Sequence, residues 1–344
     1  MSPARPAPRG TASPGAAAAL AHARQADVGR PADPGPAPAR PAAAGPVPRR
    51  ARRRWRGAAL ARALSSVPAA ALLAVLSLYP LLVLIQMSLS QVTISNLLGY
   101  WPFVGLRNFR DELTSPTFRA VAAQTFALVV AVLVLSLLFG FLAAMVLREN
   151  TLFNRITQTT MVLVWTLPPI VVGSLWRFLL ASDGGLNQLL VHLHVLAHAQ
   201  PFLSQSSTAL VAITAITLWA SAPFAAMVIK AAILDLPGDV LDAARIDGAS
   251  SLQIVTRVIV PMIRPTLLIL GVLSVVAAFK AFDFIYVMTR GGPGTSSTTI
   301  PFLGYLLAFQ NYQFGAAGAV SVLAMLVVLA LAVGYIYAVR REER

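Results

Sequence analysis

The sequence contains no cysteine among its 344 residues. Disulfide bonds, thiolate metal sites and cysteine nucleophiles are therefore excluded throughout the chain, and thiol-based redox chemistry is excluded with them. Charged residues are also scarce, at 12% of the chain. No G-x-x-x-x-G-K-[ST] phosphate loop occurs, because the glycine-rich stretch GGPGTSST at residues 291–298 has no lysine. The chain consequently has no ATP-hydrolysing motif of its own.

Apolar residues dominate what is present. They make up 57% of the chain, and the mean hydropathy is +0.72, well above the value for a soluble domain of this length. We therefore predict an all-α integral membrane protein. The first apolar run begins near Leu64, is long enough to span a bilayer and lacks a small-residue cleavage site after it, so we do not expect a cleaved signal peptide.

The formal net charge of +14 is concentrated at one end of the chain. Residues 1–62 carry 12 arginines and two aspartates, which gives +10, and the rest of the chain contributes only +4. The segment is rich in proline, alanine and arginine, a composition that buries too little apolar surface to offset the entropy of ordering. We expect residues 1–62 to be a disordered cytoplasmic tail ending in a basic flank, and we expect no nucleic-acid partner.

Six segments approach the roughly 20 apolar residues that a membrane-spanning helix needs. They lie near residues 64–89, 119–147, 157–181, 207–230, 266–288 and 317–338. The sequence thus predicts about six transmembrane helices within a domain of residues 63–340, followed by a short C-terminus at 341–344. Pro168 and Pro169 predict a kink in the third segment, because proline interrupts the helical hydrogen-bond ladder.

Arginine and lysine are concentrated in every second connection between these segments. This bias sets the predicted orientation of the spans. The basic connections are the N-terminal flank RRARRRWR, the turn around Arg148 and Arg155, the interruption at residues 235–265 and the C-terminal RREER. The intervening connections are poorer in positive charge, and residues 182–206 have no arginine or lysine. Both termini and the interruption are therefore expected on the cytoplasmic side.

The interruption LDAARIDGASSLQIVTRVIVP, residues 241–261, places polar residues between two membrane-length segments. Pro237 suits the first turn of a helix, and Asp235 or Asp239 is available to cap it. Gly248 suits a left-handed helix end. A second helical piece then leads towards Pro261 and Pro265. The sequence predicts a short, slim helix that projects into the cytoplasm and could lie in a groove on another protein. The alternative is an amphipathic helix at the membrane interface.

The same stretch resembles the EAA loop, E-A-A-x-x-D-G-A followed by I-x-L-P, of permease subunits in bacterial ABC importers. The residues that carry the resemblance are Asp242, Ala243, Ala244, Asp247, Gly248, Ala249 and Pro261. Asp242 replaces the usual glutamate, and Val258 and Val260 replace isoleucine and leucine, which keeps charge and apolar character. The resemblance implies that this loop couples the membrane domain to a separate cytoplasmic ATPase.

Further stretches resemble the carbohydrate-uptake branch of that family, and its maltose-type first permease in particular. They are SLYPLLVLIQMSLS, FVGLRNFRDEL and the run from Phe279 to Leu323. The resemblance implies a type I importer permease fold in a bacterial cell membrane, and transport of sugar by alternating access. It also implies four kinds of partner: a second, similar permease, two ATPase copies, an external sugar-binding protein and the lipid bilayer. ATP and Mg would be bound by the ATPase, so we expect no cofactor in this chain.

Polar residues within spans are costly and tend to face a cavity or another helix. The candidates for the sugar path are Gln124, Trp219, Lys280, Asp283, Tyr286 and Asn311. Lys280 and Asp283 are three residues apart, so they could instead form a structural charge pair. The aromatic candidates could instead belong to the interfacial belt.

Three histidines, His192, His194 and His198, fall in one outer connection, but no carboxylate accompanies them closely. We therefore predict a solvated loop and no metal site. No serine has the histidine and aspartate pattern of a catalytic triad, which argues against a membrane enzyme.

Two alternative functions remain open. One is an ion-coupled secondary transporter, although a single Lys–Asp pair and the lack of an evident internal repeat argue against it. The other is an ABC permease for a solute other than sugar, such as a glycerol phosphate.

Overall fold

The computed structural model describes residues 49–279 and 281–342, and within these ranges the chain is built from helices without a β-strand. We number the α-helices in chain order: α1 Arg49–Ser88, α2 Arg107–Thr114, α3 Pro116–Leu147, α4 Leu152–Thr166, α5 Pro169–Leu179, α6 Gly185–His192, α7 Ala209–Leu234, α8 Gly238–Ile246, α9 Ser251–Ile254, α10 Val260–Met262, α11 Arg264–Phe279, α12 Phe282–Met288, α13 Ile300–Tyr305 and α14 Phe314–Glu342. Two π-helical turns, Val255–Ile259 and Leu306–Gln310, adjoin α10 and α13.

Four helical segments of the described chain are long and apolar enough to cross a membrane. They are Ala71–Ser88 within α1, α3, α7 and the stretch Arg264–Met288 formed by α11 and α12. A fifth span results if the bent pair α4 and α5 is counted as one. By length and composition, four or five of the six predicted spans are thus identified among the described residues. The sixth candidate lies in α14, whose apolar part within the described residues, Phe314–Ala330, is shorter than the others.

The third predicted span is broken where the sequence places two prolines. The axes of α4 and α5 differ by 102°, which confirms the predicted kink and makes it a sharp break. Leu167 precedes Pro168 and is extended, with ψ 136°, because the proline ring disfavours the helical region for the residue before it. Pro168 is extended as well, and Pro169 begins α5, where a missing amide hydrogen costs nothing.

The core between the spans consists of three clusters of buried apolar side chains. The largest joins α3, α5, α7, α11, α12 and α13, with Leu128, Ile213 and Ile285 almost fully buried. A second cluster joins the start of α3 to α13 and α14. The third joins α3 and α7 to the segment from the first π turn to α11, and it includes Ile229, Ile259 and Ile263.

Small residues allow close approach of the two helices at the centre of this core. A Cβ atom added at Gly140 of α3 would lie 2.9 Å from Ala225 Cβ and 3.1 Å from the Ala226 backbone nitrogen on α7. Membrane helices commonly pack through such small residues, because close backbone contact replaces the hydrophobic effect as the source of attraction.

The predicted N-terminal tail and basic flank lie on either side of the residue where α1 begins. Residues 1–48 of the predicted tail lie outside the described residues. The basic flank belongs to α1, which begins at Arg49 and continues without interruption into the first span. Arginine and alanine favour helix formation, which accounts for the start of the helix ahead of the apolar run.

Candidate coupling helix and central cavity

Helix α8 begins directly after Pro237, one residue later than the sequence predicted. Pro237 occupies the N-cap position with φ −58° and ψ 124°, and no side chain caps the helix there. The predicted capping by Asp235 or Asp239 is therefore wrong, because a proline at the N-cap has no oxygen in its side chain to accept the free amide hydrogens. Asp239 lies in the first turn, where its charge interacts favourably with the helix dipole.

Helix α8 ends in a Schellman motif centred on Gly248. The Gly248 amide donates to the Arg245 carbonyl and the Ala249 amide donates to the Ala244 carbonyl, each at 3.0 Å. Gly248 has φ +77°, the left-handed conformation that the sequence predicted at this position. The open carbonyls at the end of α8 are thus satisfied within the loop, and the helix keeps a defined end although it is exposed to solvent.

The chain after Gly248 returns to the membrane through a second capped segment. Ser250 and Gln253 form a reciprocal capping box, in which each side chain accepts a hydrogen bond from the other residue's backbone amide. The π turn Val255–Ile259 then leads into α10, with Pro261 near its first position. Ile259 and Ile263 anchor this segment in the third core cluster.

One side of α8 is attached to the membrane domain and the other is free. Leu236 and Leu241 pack against the third core cluster, whereas no residue of α8 is fully buried. Asp242 forms an exposed ion pair with Arg245 at 2.7 Å, and Ile246 is 87% exposed. An exposed ion pair adds little stability. The exposed side of α8 therefore presents both charged groups and an apolar side chain to solvent.

A cavity of about 500 Å³ lies among α4, α5, α7, α11 and α12. Its lining includes Asp283, one of the predicted sugar-path residues, together with the hydroxyl residues Thr217, Ser221 and Ser274. The aromatic side chains of its wall are Trp165, Phe224 and Phe284. A cavity of this size with a few polar groups in an apolar wall is typical of a small-molecule site.

The other predicted sugar-path residues lie outside the lining of this cavity. Tyr286 stacks on Phe282 with ring centroids 5.8 Å apart and contacts Tyr305 edge-on. Trp219 meets Trp176 edge-on at 5.4 Å. Asn311 is exposed at the end of the second π turn. Lys280 lies outside the described residues, so the predicted Lys280–Asp283 pair stays a prediction.

The Gln124 side chain, predicted to face the sugar path, is instead hydrogen-bonded to a loop of the same chain. With its nitrogen turned towards the loop after α12, the side chain donates to the Thr295 and Thr298 carbonyls, both at 2.8 Å. The neighbouring Thr125 hydroxyl accepts a 2.9 Å hydrogen bond from the Ile300 amide. Two consecutive residues of α3 thus fix this loop.

The cavity residues that the sequence analysis missed lie mainly on α7. Thr217, Ser221 and Phe224 follow one another at spacings of four and three residues, which places them on one helix face. The sequence contains this spacing, but the spacing does not identify a polar face among the surrounding alanines and leucines. Every face of this span is apolar enough to contact lipid.

The connection with the three histidines contains α6 and a turn in which His194 has φ +57°. Asn187 is fully buried there, and its side-chain nitrogen donates to the Leu180, Ala181 and Gln200 carbonyls. Within the part of the chain that the structure describes, no three histidine, aspartate or glutamate residues are grouped as metal ligands would be.

Several apolar spans around a small-molecule cavity, with a free capped helix on a polar connection, define a membrane-embedded transport subunit. The family model of the binding-protein-dependent transport system inner membrane component matches residues 136–342, and the chain belongs to this family. The match includes α8 and the whole cavity. The chain is thus a multi-pass membrane protein and a permease subunit of an ABC importer, as the EAA resemblance predicted.

The chain is similar to permeases that are named for sugar uptake. It is 30% identical over 299 residues to the diacetylchitobiose uptake system permease protein DasB of Streptomyces coelicolor, covering 86% of this chain and 91% of that protein. It is 29% identical over 238 residues to the trehalose/maltose transport system permease protein MalF of Thermococcus litoralis, covering 68% of this chain and 79% of that protein.

A solved structure shares the fold at lower sequence identity. It is a bacterial ABC transporter involved in the import of the acidic polysaccharide alginate, with a TM-score of 0.71, 22% identity and coverage of 84% of this chain and 99% of the matched chain. The likeness confirms the predicted importer permease fold.

Proposed function

We propose that this permease carries a sugar across the cytoplasmic membrane of a bacterium. Two observations support a sugar as the cargo: the similar permeases are named for diacetylchitobiose and for trehalose and maltose, and the cavity combines a carboxylate and hydroxyl groups with aromatic rings. Sugar hydroxyls donate to oxygen acceptors, and the apolar face of a sugar ring suits an aromatic ring.

The observation that carries the mechanism is the exposed helix α8, whose C-terminal end is fixed by the Schellman motif. In the proposed mechanism α8 lies in a groove on a cytoplasmic ATPase, which Asp242 and Ile246 contact from the exposed side. The residues with the EAA pattern, from Asp242 to Ala249, form that docking surface, and Pro261 ends the loop. The other side of the loop is fixed to α3, α7 and α11 through Leu241 and Ile259, so a displacement of α8 is transmitted to the spans.

The assembly that we propose contains this chain, a second permease of the same family, two ATPase subunits and an external sugar-binding protein. ATP and Mg are bound by the ATPases, and this chain has no ATPase site. Closure of the ATPase dimer on ATP moves α8 and opens the cavity outward. Hydrolysis reverses the movement and releases sugar inward. The arginine distribution supports cytoplasmic placement of α8 and of both termini.

The proposed function is tested by uptake of radiolabelled trehalose, maltose and diacetylchitobiose in cells that express the complete transporter. We expect saturable uptake of at least one sugar that disappears when this permease is deleted and when cellular ATP is depleted. The alternative ion-coupled transporter predicts uptake driven by an imposed ion gradient in ATP-depleted cells. That result, or uptake of glycerol phosphate alone, would contradict the proposal.

A further inference from the structure

The connection between α1 and α2 is an apolar loop without a charged residue. This apolar loop comprises residues 89–106, which contain no aspartate, glutamate, lysine, arginine or histidine. Five of its large apolar side chains are exposed: Ile94, Leu98, Tyr100, Phe103 and Leu106. Leu98 is completely exposed, and Tyr100 is 82% exposed. Exposed apolar side chains that are grouped in this way mark a surface that contacts a partner or a membrane.

The first residues of the apolar loop are fixed to the end of the membrane span in α1. Asn108 of α2 donates from its side-chain nitrogen to the Ser88 and Ser90 carbonyls, at 2.9 and 3.0 Å. The Gly315 amide of α14 donates to the Val92 carbonyl at 3.0 Å. Ser88 is the last residue of the span. The apolar loop therefore begins where the span meets the membrane surface, and these hydrogen bonds hold it there.

The apolar loop provides partners for its own polar groups. The Gln91 amide donates to the Pro102 carbonyl at 2.8 Å, which pairs the two ends of the loop. The Asn96 side chain accepts from the Thr93 amide and donates to the Gln91 carbonyl, both at 2.8 Å. Unpaired backbone groups are costly next to hydrocarbon. Internal pairing therefore lowers the cost of placing this segment against lipid.

The composition of the apolar loop favours lipid over a soluble protein as its partner. Tyr100, Trp101 and Phe103 lie close together in the sequence, and tyrosine and tryptophan are enriched where a membrane meets water. The Trp101 indole nitrogen donates to the Leu97 carbonyl at 3.1 Å, so its polar group is satisfied within the loop. A surface that binds a soluble protein has a polar rim around an apolar centre. Residues 89–106 provide no charged group for such a rim.

We propose that the apolar loop inserts into the headgroup region of the lipid leaflet at which α1 ends. Leu98, Tyr100 and Phe103 contact the lipid, as the apolar side chains of other interfacial segments do. The loop fixes the depth of the end of α1 in the membrane. Because it carries no charge, the contact does not depend on the charge of the lipid headgroup. This inference is independent of which solute the permease transports.

The test measures the depth of a fluorescent probe in the complete transporter, reconstituted in nanodiscs of phosphatidylethanolamine and phosphatidylglycerol. Leu98→Cys or Tyr100→Cys provides the only thiol in this chain, and the partner subunits are used in cysteine-free form. An environment-sensitive probe at either position should be blue-shifted, quenched by doxyl-labelled lipid and shielded from iodide. Replacing phosphatidylglycerol with phosphatidylcholine should change none of these signals.

Ser204→Cys is the matched control, because Ser204 is an exposed polar residue on another connection. Its probe should be quenched by iodide and not by doxyl-labelled lipid. A second comparison tests whether apolar side chains cause the insertion. Leu98→Asp combined with Tyr100→Asp should reduce lipid quenching of a probe at Phe103→Cys, because carboxylates are costly near hydrocarbon. Ser204→Asp should leave that quenching unchanged.

Three results would overturn the proposal. Iodide quenching of the Leu98 probe equal to that of the Ser204 probe, without lipid quenching, would place the apolar loop in water. Shielding of the Leu98 probe from both iodide and lipid would show that another subunit covers the loop. Lipid quenching that is lost without phosphatidylglycerol would show that headgroup charge, and not the apolar surface, determines the contact.

Discussion

Gly248 is the residue on which the shape of the coupling loop depends most directly. It is the left-handed residue of the Schellman motif, and no atom lies within 4 Å of the position where a Cβ would be added. A side chain at this position is therefore unfavourable because of the backbone conformation, and not because of a steric clash within the chain. For a residue other than glycine this conformation costs about 1–2 kcal/mol.

We expect Gly248→Ala to weaken association with the ATPase by roughly tenfold while the permease still inserts, because the strained turn disfavours the docked shape of α8. Co-purification of the ATPase and sugar-stimulated ATP hydrolysis measure the effect. Gly238→Ala is the control: its Cβ also meets no atom within 4 Å, but Gly238 does not have a positive φ. Equal behaviour of the two variants would show that the left-handed turn is irrelevant to coupling.

Substitution of Gln124 can show whether this residue has a structural role or contacts the sugar. Its two hydrogen bonds fix the loop carbonyls of Thr295 and Thr298, so Gln124→Glu, which removes both donors, should lower the thermal unfolding temperature. Leaving buried carbonyls without a donor costs about 1–3 kcal/mol. The sugar concentration for half-maximal uptake should not change. A large rise in that concentration at normal stability would instead restore the sequence-based prediction that Gln124 contacts sugar.

Asp283 lines the cavity, whereas Lys280 lies outside the described residues, and mutagenesis can decide whether they act as a pair. If Asp283 binds sugar, Asp283→Ala should reduce uptake at normal membrane abundance, and adding Lys280→Ala should not restore it. A structural charge pair predicts that each single change leaves an unpaired charge and lowers abundance, and that the double change recovers it. Abundance by immunoblot and initial uptake rates measure both quantities.

At the scale of elements, the orientation of α8 can be tested with single thiols. Cysteines introduced at Ser95 and Ser204, both exposed on the connections expected outside, should react with a membrane-impermeant maleimide in intact cells. Cysteines at Asn150 and Ser250, also exposed, should react only after the membrane is opened. Ser90 is a poor reporter because it is only 3% exposed. Labelling of Ser250→Cys in intact cells would place α8 on the wrong side for coupling.

The ends of the elements show what the sequence could and could not predict. The left-handed end at Gly248 and the break at Pro168 followed from local backbone rules, and the structure confirms both. The capping of α8 by an aspartate was wrong, because the choice between neighbouring residues depends on where the helix starts, and Pro237 shifts that start by one residue. Span ends near 147 and 288 were predicted correctly, since apolar runs stop there.

At the scale of the whole molecule, the class of protein followed from composition and from the EAA pattern, but the cavity did not. Its lining comes from helices that are separated by more than 100 residues, such as Trp165 and Asp283. Side chains from five helices meet there, so no local pattern predicts it. Asp283 was found because a charged residue in a span is conspicuous.

The N-terminal segment, residues 1–48, should be dispensable for transport, because its composition offers little apolar surface for packing or specific binding. Deleting it while retaining Arg49–Arg56 keeps the positive flank that orients α1. We expect uptake and membrane abundance within about a factor of two of the full chain, since the orienting charges remain. Loss of uptake at normal abundance would reveal a function for this segment.

The central claim is that α8 docks onto a separate ATPase, and photo-crosslinking from Ile246 tests it most directly. Ile246→Cys, labelled with a photoreactive maleimide, places the probe on the exposed side of α8 in an otherwise cysteine-free chain. In the intact purified transporter it should form an adduct with the ATPase subunit, and the same probe at Ser204→Cys should form none. An ATPase adduct from Ser204→Cys together with none from Ile246→Cys would contradict the account.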